Sequence, residues 1–522
     1  MILLEANDVK IYVQDRLLVD VKRLSIYRND RIGLVGRNGS GKTSLLEVLA
    51  GKTKPAEGVV TIRATSELLP QLKQQDNVKS GGEITQEYIN DAFMKHPSLL
   101  LADEPTTNLD ASHIEWVERK LSAWNGALVI VSHDRAFLDA LCTTIWEIDD
   151  GKVTIYKGNY SAYAEQKAEQ RRQQEMAYEK YEKKKRQLEE AVRLKEKKAN
   201  RATKTPKSLS SSEASITKPY FAKKQKKLQQ TAKAMETRIE KLEKVEKVKE
   251  AAPIRMNLPN EDAVKGRTVL RAVDVPGMIG DRILWEPISF HVRSGDKLAI
   301  IGPNGSGKTT LIKKMIHQQD GIALSPSVKI GYFSQNISIL DSQRSILENV
   351  SITSKQEETV IRTVLARLRF FREDVYKPVR VLSGGERVKV AFAKLFVSDV
   401  NTLFLDEPTN FLDMEAVEAL ESLLTEYEGT VIFVSHDRRF IEHVATRILA
   451  IRERKIELFE GSFIEYKRQG QAQHRDAAEE QRLIIETKIS EVLSKLSLEP
   501  SAELEEEFQK LLQEKRKLDP MK

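Results

Sequence analysis

The sequence predicts an α/β fold in which two copies of one domain are joined by a long antiparallel helical hairpin and followed by a short helical C-terminal extension. Four short motifs occur twice, in the same order. Each copy also contains continuous apolar runs, which are typical of parallel strands buried on both faces. The stretch between the copies lacks such runs and is rich in Glu, Lys, Gln and Arg, which favour helices.

The repeated motifs have the order and context of a phosphate-binding domain. In each copy a GxxxxGK[ST] loop follows an apolar run and precedes a predicted helix, which is the context that this loop requires. Four matched motifs leave little room for chance, so we expect two related sites. The pairs are 36–43 (GRNGSGKT) with 302–309 (GPNGSGKT), 80–83 with 383–386 (both SGGE), 101–110 (LADEPTTNLD) with 405–413 (LDEPTNFLD), and 131–135 with 434–438 (both VSHDR).

Composition and charge limit the class of protein. The chain has 522 residues, 40% hydrophobic and 31% charged, which suits a globular protein of two or three domains. Its net charge of +7 is uneven, because residues 161–250 carry 26 Lys or Arg against 14 Asp or Glu. The sequence leaves open whether this stretch contacts a polyanion or is a solvated helical face.

The single cysteine, Cys142, excludes internal disulfides and a zinc finger. With neither a signal peptide nor an apolar run of roughly 20 residues, we expect a cytoplasmic protein.

The apolar runs and the changes in composition divide the chain. In the first copy we expect buried strands at 32–36, 99–102 and 127–131, and a helix at 44–51. The expected units are domains at 1–163 and 269–466, a hairpin at 164–250, a Pro-containing connector at 251–268 and the extension at 467–522. The extension reads as two helices joined near 497–500. Its mixed charge leaves packing on the chain itself and partner binding both open.

The hairpin prediction depends on two apolar stripes with heptad spacing. They comprise Leu228, Ala232, Met235, Ile239 and Leu242 in the second half, and Tyr181, Leu188, Val192 and Ala199 in the first. Between them a Ser-rich segment with Pro206 marks a turn, so the tip is expected at about 203–218. About 35 residues of helix would extend roughly 50 Å. A disordered linker is the alternative, and the heptad spacing argues against it.

The Gly-rich loops are typical of ATP sites, because glycines let backbone N–H groups converge on phosphate oxygens at a helix N-terminus. Lys42 and Lys308 are expected to contact the β- and γ-phosphates, and Thr43 and Thr309 to ligate Mg²⁺. The loop residues are Gly36, Asn38, Gly39, Gly41, Lys42, Thr43 and Ser44 in the first copy, and Gly302, Asn304, Gly305, Gly307, Lys308, Thr309 and Thr310 in the second.

The other motifs supply catalytic candidates. Glu104 and Glu407 follow apolar strands and are placed to activate a water molecule as general bases. His133 and His436 follow another strand and are placed to contact the γ-phosphate. A lone histidine is more often structural, but two in matching positions favour a site. The further Mg²⁺ ligands, partly through water, are Asp103, Asp406, Gln71 and Gln335.

Together these motifs resemble the ATP-binding cassette (ABC) superfamily, whose diagnostic signature is Ser-Gly-Gly-Glu. The resemblance implies two P-loop ABC domains paired head to tail, so that the signature of one completes the ATP site of the other. Site one would combine the first loop, Glu104 and His133 with Ser383, Gly384 and Gly385. Site two would combine the second loop, Glu407 and His436 with Ser80, Gly81 and Gly82. Tyr12 is placed to stack on the adenine of site one, whereas Met278 has the matching position in site two.

Within that superfamily the chain resembles the ABC-F subfamily, and in it the Vga-type antibiotic-resistance proteins of Gram-positive bacteria. Two domains in one chain with a basic hairpin between them are that subfamily's layout. Only 8 residues separate Gln71 from Ser80, against 47 between Gln335 and Ser383. The first domain therefore lacks most of the usual helical subdomain, as in that group. The resemblance is clearest at 12–18, 79–83, 142–148, 218–221 and 382–389.

This resemblance implies a monomeric ATPase with ATP and Mg²⁺ at two sites and the 70S ribosome (23S rRNA, and tRNA near the P and E sites) as its partner. The ATP-bound protein would occupy the E site and point the hairpin tip at the peptidyl-transferase centre. It would displace lincosamides, streptogramin A and pleuromutilins, and hydrolysis would release it. A stiff basic arm suits folded RNA. Tyr220 and Phe221 would either stack on an rRNA base or pin the hairpin. The tip candidates are Lys204, Lys207, Ser208, Ser211, Ser212, Ile216, Lys218, Tyr220 and Phe221.

Three other functions compete with this interpretation. A housekeeping ABC-F translation factor would share every motif. A transporter ATPase is disfavoured, because the first domain lacks the helical subdomain that grips a membrane partner. A DNA-repair or chromosome-maintenance ATPase is disfavoured, because zinc-binding cysteines and a longer coiled coil are both missing. We therefore expect no membrane subunit and no DNA partner.

Overall fold

A computed structural model gives the architecture of the chain. It describes residues 1–13, 15–71, 81–107, 109–202, 211–242, 266–334, 339–410 and 412–469, and short helical pieces at 485, 487–490, 492–493, 505–506 and 508–512. The chain divides into two compact units. One comprises Met1–Leu141, Trp146–Ile155 and Pro253–Lys522, and the other Cys142–Ile145 and Tyr156–Ala252.

The first domain is a nine-stranded sheet with helices. Its strands are β1 (Ile2–Val13), β2 (Arg16–Tyr27), β3 (Arg31–Gly36), β4 (Glu57–Ile62), β5 (Ser66–Leu69), β6 (Leu99–Asp103), β7 (Ala127–Val131), β8 (Thr144–Asp149) and β9 (Lys152–Lys157). Its helices are α1 (Lys42–Leu49), α2 (Gly81–Met94), α3 (Ala111–Ala123) and α4 (Arg135–Leu141). The strand order is β4-β1-β2-β9-β8-β3-β7-β6-β5.

The predicted buried strands are confirmed. Strands β3, β6 and β7 pair in parallel, and every residue of β6 and β7 is buried. Parallel strands end at the same edge of a sheet, so the Gly-rich loop after β3, Glu104 after β6 and His133 after β7 come together there. Cys142 is buried.

The helix predicted at 44–51 begins two residues earlier, at Lys42. Gly41 adopts a φ of 94° and lets the chain turn from the loop directly into the helix. A Cβ atom there would lie 2.8 Å from Val19 Cγ2, so this position requires glycine for both reasons.

The region between the domains forms two helices, α5 (Tyr160–Ala202) and α6 (Ser211–Glu240), that pack on each other. Both predicted stripes are half-buried or buried, and Val192, Ala199 and Ala232 are the most buried of them. α5 begins at Tyr160 rather than 164, because the Asn159 side chain accepts a hydrogen bond from Ala162 N (3.0 Å) and caps the helix.

The position of the tip needs correction. Helix α6 already starts at Ser211, inside the tip predicted at about 203–218. Serine is accepted in the first turn of a helix, so the Ser-rich segment is only partly a turn. Of the predicted tip residues, Ser211, Ser212, Ile216, Lys218, Tyr220 and Phe221 belong to α6. Lys204, Lys207 and Ser208 lie outside the described residues.

The second domain repeats the first with its sheet divided. Its strands are β10 (Thr268–Ile279), β11 (Arg282–Arg293), β12 (Lys297–Ile301), β13 (Ile322–Leu324), β14 (Ile330–Phe333), β15 (Thr402–Asp406), β16 (Thr430–Val434), β17 (Arg447–Arg452) and β18 (Lys455–Glu460). Its helices are α7 (Lys308–Ile316), α8 (Ile346–Ser351), α9 (Glu358–Arg367), α10 (Gly384–Val397), α11 (Met414–Glu426) and α12 (Arg438–Val444). The sheet orders are β11-β10-β13 and β14-β15-β16-β12-β17-β18.

The two domains differ most between the Gly-rich loop and the acidic motif. The second domain has three helices there, α8, α9 and α10, around a shared apolar core. In the described part of the first domain, α2 is the one helix between β5 and β6. The predicted loss of most of the helical subdomain agrees with this difference. Among the described residues, no helix has the length and apolar character needed to cross a membrane.

Candidate functional site

The lysines of the two Gly-rich loops have matching contacts. Lys42 Nζ donates to the carbonyl oxygens of Gly36 (2.8 Å) and Arg37 (3.0 Å). Lys308 Nζ donates to the two equivalent carbonyls, both at 2.9 Å. Both side chains are buried, and burial lowers the pKa of each ammonium. Each loop therefore holds a desolvated positive charge at its centre.

Each loop also fits a phosphate group. Gly39, Gly41, Gly305 and Gly307 adopt positive φ values, and a helix begins directly after each loop. The N-terminus of a helix favours anions. The hydroxyl groups of the loop serines, Ser40 and Ser306, are buried and find no hydrogen-bond partner among the described residues. The loops therefore offer unused donors where a phosphate oxygen would bind.

Asp103 and Asp406 each accept a hydrogen bond from a loop threonine. Thr309 Oγ1 donates to Asp406 Oδ1 at 3.1 Å, and Thr43 makes the same contact with Asp103. Burial raises the pKa of both carboxyl groups. Hydroxyl and carboxylate oxygens are the ligands that Mg²⁺ prefers, and its charge would offset this burial. The residues present fit the predicted metal.

Glu104 and Glu407 stand next to the predicted histidines. His133 Nε2 lies 3.4 Å from Glu104 Oε1, and His436 Nε2 lies 3.2 Å from Glu407 Oε1. Both glutamates have a φ of 50°, a left-handed conformation that is uncommon for residues other than glycine. Their backbone N–H groups donate to the last residue of the adjacent strand, at 2.8 Å and 3.0 Å. Strained backbone of this kind clusters at functional sites.

Burial sets the protonation of the second pair. It raises the pKa of Glu407 to about 7, with Lys308 acting in the opposite direction. It lowers the pKa of His436 to about 4, and the positive charge of Lys308 adds to this effect. His436 is therefore neutral at physiological pH, and Glu407 changes charge close to neutrality.

Most of the first-domain residues predicted for site one lie together, whereas the signature residues predicted to complete it, Ser383, Gly384 and Gly385, do not line the same cavity. A cavity of about 250 Å³ is lined by Asn38, Gly39, Gly41, Lys42, Thr43, Ser44, Gln71, Asp103, Glu104 and His133. Tyr12 lies outside this cavity on the β1–β2 hairpin, where it pairs with Leu17 and is exposed. Met278 has the same place on the β10–β11 hairpin, opposite Ile283. The predicted equivalence of Tyr12 and Met278 agrees with this register.

The signature residues begin helices. Ser383 caps α10, because its Oγ accepts from Glu386 N (3.3 Å) while Glu386 Oε2 accepts from Ser383 N (2.8 Å). Gly384 and Gly385 form the first turn of α10, and Gly81 and Gly82 that of α2. Ser80 and Gln335 lie outside the described residues.

Two aspartates that the site prediction omitted connect the domains. Asp110 and Asp413 each use Oδ1 to cap their own helix, α3 or α11, at 3.0 Å and 2.9 Å. Asp110 Oδ2 accepts from Asn304 N in the second loop (3.0 Å), and Asp413 Oδ2 accepts from Asn38 N in the first (3.4 Å). Each Gly-rich loop is therefore contacted by the opposite domain.

The surroundings of these aspartates differ. Although burial acts in the opposite direction, hydrogen bonds from Asn304, Ser112 and His113 hold the pKa of Asp110 far below its usual range. For Asp413 burial is likewise opposed, here chiefly by Lys389 on α10, 3.4 Å away, and its pKa is also lowered. Both carboxyl groups are therefore charged when they contact the loops.

Site one has a further ion pair that site two lacks. Arg37 Nε lies 3.2 Å from Glu415 Oε2 of the second domain, and Arg369 Nη2 lies 3.4 Å from the same oxygen. The sequence has Pro303 and Ser112 at the matching positions. The first loop is thus bound to the helical region of the second domain, and the two sites are unequal.

A cavity of about 360 Å³ lies between the domains and is lined by both glutamate–histidine pairs. Its walls include Glu104, His133, Glu407 and His436, together with Asn304.

The sequence contained a signal for the two aspartates that the site prediction omitted, since each is the last residue of the repeated acidic motif. In both copies, the arginine of VSHDR lies 25 positions after the aspartate.

The comparisons with known proteins agree with this geometry. A family model described as ABC transporter matches residues 19–77 and 285–410, and a second model with that description matches 146–256. The chain is 30% identical to the ribosome protection protein VmlR of Bacillus subtilis, over 98% of each chain. It is 32% identical to the erythromycin resistance ATP-binding protein MsrA of Staphylococcus epidermidis, over 84% of this chain and 96% of that protein.

The fold is also similar to a solved structure. The structure of the RNase-L inhibitor has a TM-score of 0.58 and 17% identity, and the similarity covers 90% of this chain and 93% of that one. At this identity the likeness concerns the fold alone. It supports two ABC domains in one chain.

The pKa of Glu407 predicts how ATP hydrolysis depends on pH. In a Glu104→Gln variant, which leaves the second site active, kcat/KM should rise about tenfold per pH unit up to about pH 7 and then level off. The sign follows because only the carboxylate form of Glu407 can accept a proton from water, and that form increases with pH. The matched control is the Glu104→Gln, Glu407→Gln double variant, which should show no such limb. A Glu104→Gln profile that is flat down to about pH 5.5 would contradict this prediction.

Proposed function

The chain belongs to the ABC-F family of ATPases, and we propose that it is a cytoplasmic monomer that binds the ribosome with two ATP–Mg²⁺ sites engaged. The single observation that supports this most strongly is a basic helical hairpin placed between two domains with complete sets of ATP-site residues. A relative named for ribosome protection aligns over 98% of this chain, and one named for erythromycin resistance aligns over 84% of it.

In this proposal each site binds one ATP with the same residues. Lys42 and Lys308 contact the β- and γ-phosphates, and the loop N–H groups surround them. Asp103 and Asp406, with the two loop threonines, hold Mg²⁺, which when bound would neutralise phosphate charge. The glutamines, Gln71 and Gln335, complete the metal sites through water. Signature residues of the opposite domain close each site, as the aspartate contacts with each loop support.

Glu104 and Glu407 act as general bases. A base must accept a proton from a water molecule close to the γ-phosphate, and both carboxylates lie at the edge of the sheet beside a loop lysine. His133 and His436 contact the γ-phosphate as hydrogen-bond partners, and the lowered pKa of His436 makes that side chain a neutral one. Loss of that contact after hydrolysis loosens the interface between the domains.

The hairpin provides the ribosome contact. Helix α5 has 43 residues, so it extends about 65 Å. Residues 191–230 carry 12 Lys or Arg against 2 Glu. Folded RNA is recognised mainly through phosphates and shape, so a stiff, positively charged arm suits rRNA and tRNA.

The finer proposal concerns antibiotics. The ATP-bound protein occupies the E site, directs the hairpin towards the peptidyl-transferase centre, and displaces lincosamides, streptogramin A and pleuromutilins. The names of the two relatives support resistance as the role. Tyr220 and Phe221, with the basic and serine residues of the tip, are the candidate contacts.

Ribosome binding is tested with the Glu104→Gln, Glu407→Gln double variant. It should bind ATP, hydrolyse little and co-sediment with 70S ribosomes in ATP, because the release step is blocked. The wild type in ADP and the double variant without nucleotide are the controls, and both should stay largely in the supernatant. A double variant that stays free in ATP would overturn the ribosome proposal.

Drug protection is tested in a sensitive bacterial host that expresses the wild type. The inhibitory concentrations of lincosamides, streptogramin A and pleuromutilins should increase several-fold, while that of an aminoglycoside should stay unchanged. Tyr220→Ala should alter the pattern among the three drugs more than the ATPase rate. Ribosome binding without any change in susceptibility would favour the housekeeping alternative.

A further inference from the structure

The arginines that end the VSHDR motifs cross between the domains. Arg135 begins α4, two residues after His133, and its guanidinium contacts Glu421 on α11 of the second domain. Arg438 begins α12 and contacts Glu118 on α3 of the first domain, at 3.2 Å. The two glutamates have equivalent positions, each eight residues after the capping aspartate. The interface therefore contains two arginine–glutamate pairs related by the internal repeat.

The two pairs differ in burial. Side-chain exposure is 3% for Arg135 and 9% for Glu421, against 12% for Arg438 and 26% for Glu118. Both guanidinium Nη atoms of Arg135 bond to the two oxygens of Glu421, one of them at 3.1 Å. Other titratable groups lie around this pair. Asp437 is 3.8 Å from Arg135, His443 is 3.1 Å from Glu421, and Asp134 also interacts electrostatically with Arg135.

The second pair is more open to solvent. Arg438 divides its donors among Glu118, the more exposed Glu115 (3.4 Å) and the carbonyl oxygen of Ala111 (3.4 Å). Solvent weakens an ion pair that it can reach, whereas removal of one partner from a buried pair is strongly destabilising. The Arg135–Glu421 pair is therefore the stiffer of the two.

The short segment between His133 and Arg135 has little freedom. Asp134 N donates to Ser132 Oγ (3.0 Å), and Asp134 Oδ1 accepts from Phe137 N (3.0 Å) at the start of α4. Phe137 is fully buried. The position of Arg135 therefore determines the position of the His133 backbone, because the segment between them is fixed by these hydrogen bonds.

We propose that Glu421 of the second domain is a positioning residue for ATP site one, acting through Arg135 on His133. Closure of the two domains would then set the position of His133 in site one, while the less buried Arg438–Glu118 pair does much less for His436 in site two. The inference rests on the γ-phosphate role proposed above for His133. It does not depend on ribosome binding, so purified protein without ribosomes is sufficient to test it.

The test replaces each pair by apolar residues of similar size and measures each site alone. A buried ion pair exchanged for apolar residues is often neutral or stabilising, so Arg135→Met with Glu421→Leu should fold. Arg438→Met with Glu118→Leu is the matched control. The Glu407→Gln background reports hydrolysis at site one, and the Glu104→Gln background reports site two. His133→Ala in the Glu407→Gln background serves as the reference for loss of the histidine.

At site one we expect the Arg135–Glu421 replacement to lower kcat about tenfold with KM for ATP changed less than about threefold, because an interaction with the transition state is lost. At site two the same replacement should stay within about twofold, and the control replacement within about threefold at either site. If the replaced pair does not fold, Glu421→Gln carries the same comparison and should lower kcat at site one only.

Several outcomes would overturn the proposal. Equal losses at both sites would make the pair a general interface contact. Normal site-one kcat with a strong His133→Ala defect would remove the positioning role and leave the site assignment intact. A His133→Ala variant with normal kcat would instead overturn the assigned role of His133, and this inference with it.

Discussion

The arrangement of the two domains depends on one repeated interaction, an aspartate whose two oxygens belong to different domains. Asp110 and Asp413 each cap their own helix with Oδ1 and accept a loop N–H of the opposite domain with Oδ2. A capping side chain is fixed in place at the N-terminus of its helix. Each aspartate therefore holds the Gly-rich loop of the opposite domain at a fixed position relative to that helix. The two glutamate–histidine pairs then face one shared cavity. The two Gly-rich loops are therefore connected to each other through the interface between the domains.

The two domains have similar backbones, but the charged residues around their Gly-rich loops and histidines differ. The first loop has Arg37, which reaches Glu415 and through it Arg369, and the first histidine lies beside the buried Arg135–Glu421 pair. At the second site burial brings the pKa of Glu407 to about 7. The first Gly-rich loop therefore has ion-pair contacts to the opposite domain, whereas near the second loop the charge of Glu407 changes close to neutrality.

Local patterns in the sequence predicted the strands, the Gly-rich loops and the heptad stripes, because each is determined by neighbours within a few turns. The same patterns identified Glu104, His133 and their repeats. They did not reveal that Arg135 meets Glu421, because that contact joins residues 286 positions apart and depends on how the domains pack. The start of α6 at Ser211 was also missed, since serine suits both a turn and the first turn of a helix. Residue pairs across an interface can be predicted only when the packing of the domains is known, and composition alone does not give that packing.

The shared interface is tested most directly by the equilibrium binding of ATP to a triple variant. This variant adds Asp110→Ser to the Glu104→Gln, Glu407→Gln protein. Serine still caps α3, but it is too short to reach Asn304 N in the second loop as well. The account predicts two ATPs per chain, of which one binds at least about tenfold more weakly than without the Asp110→Ser change, with a Tm within about 2 °C. Asp413→Ser should weaken the other ATP. Two ATPs bound with unchanged affinities in both serine variants would contradict the account.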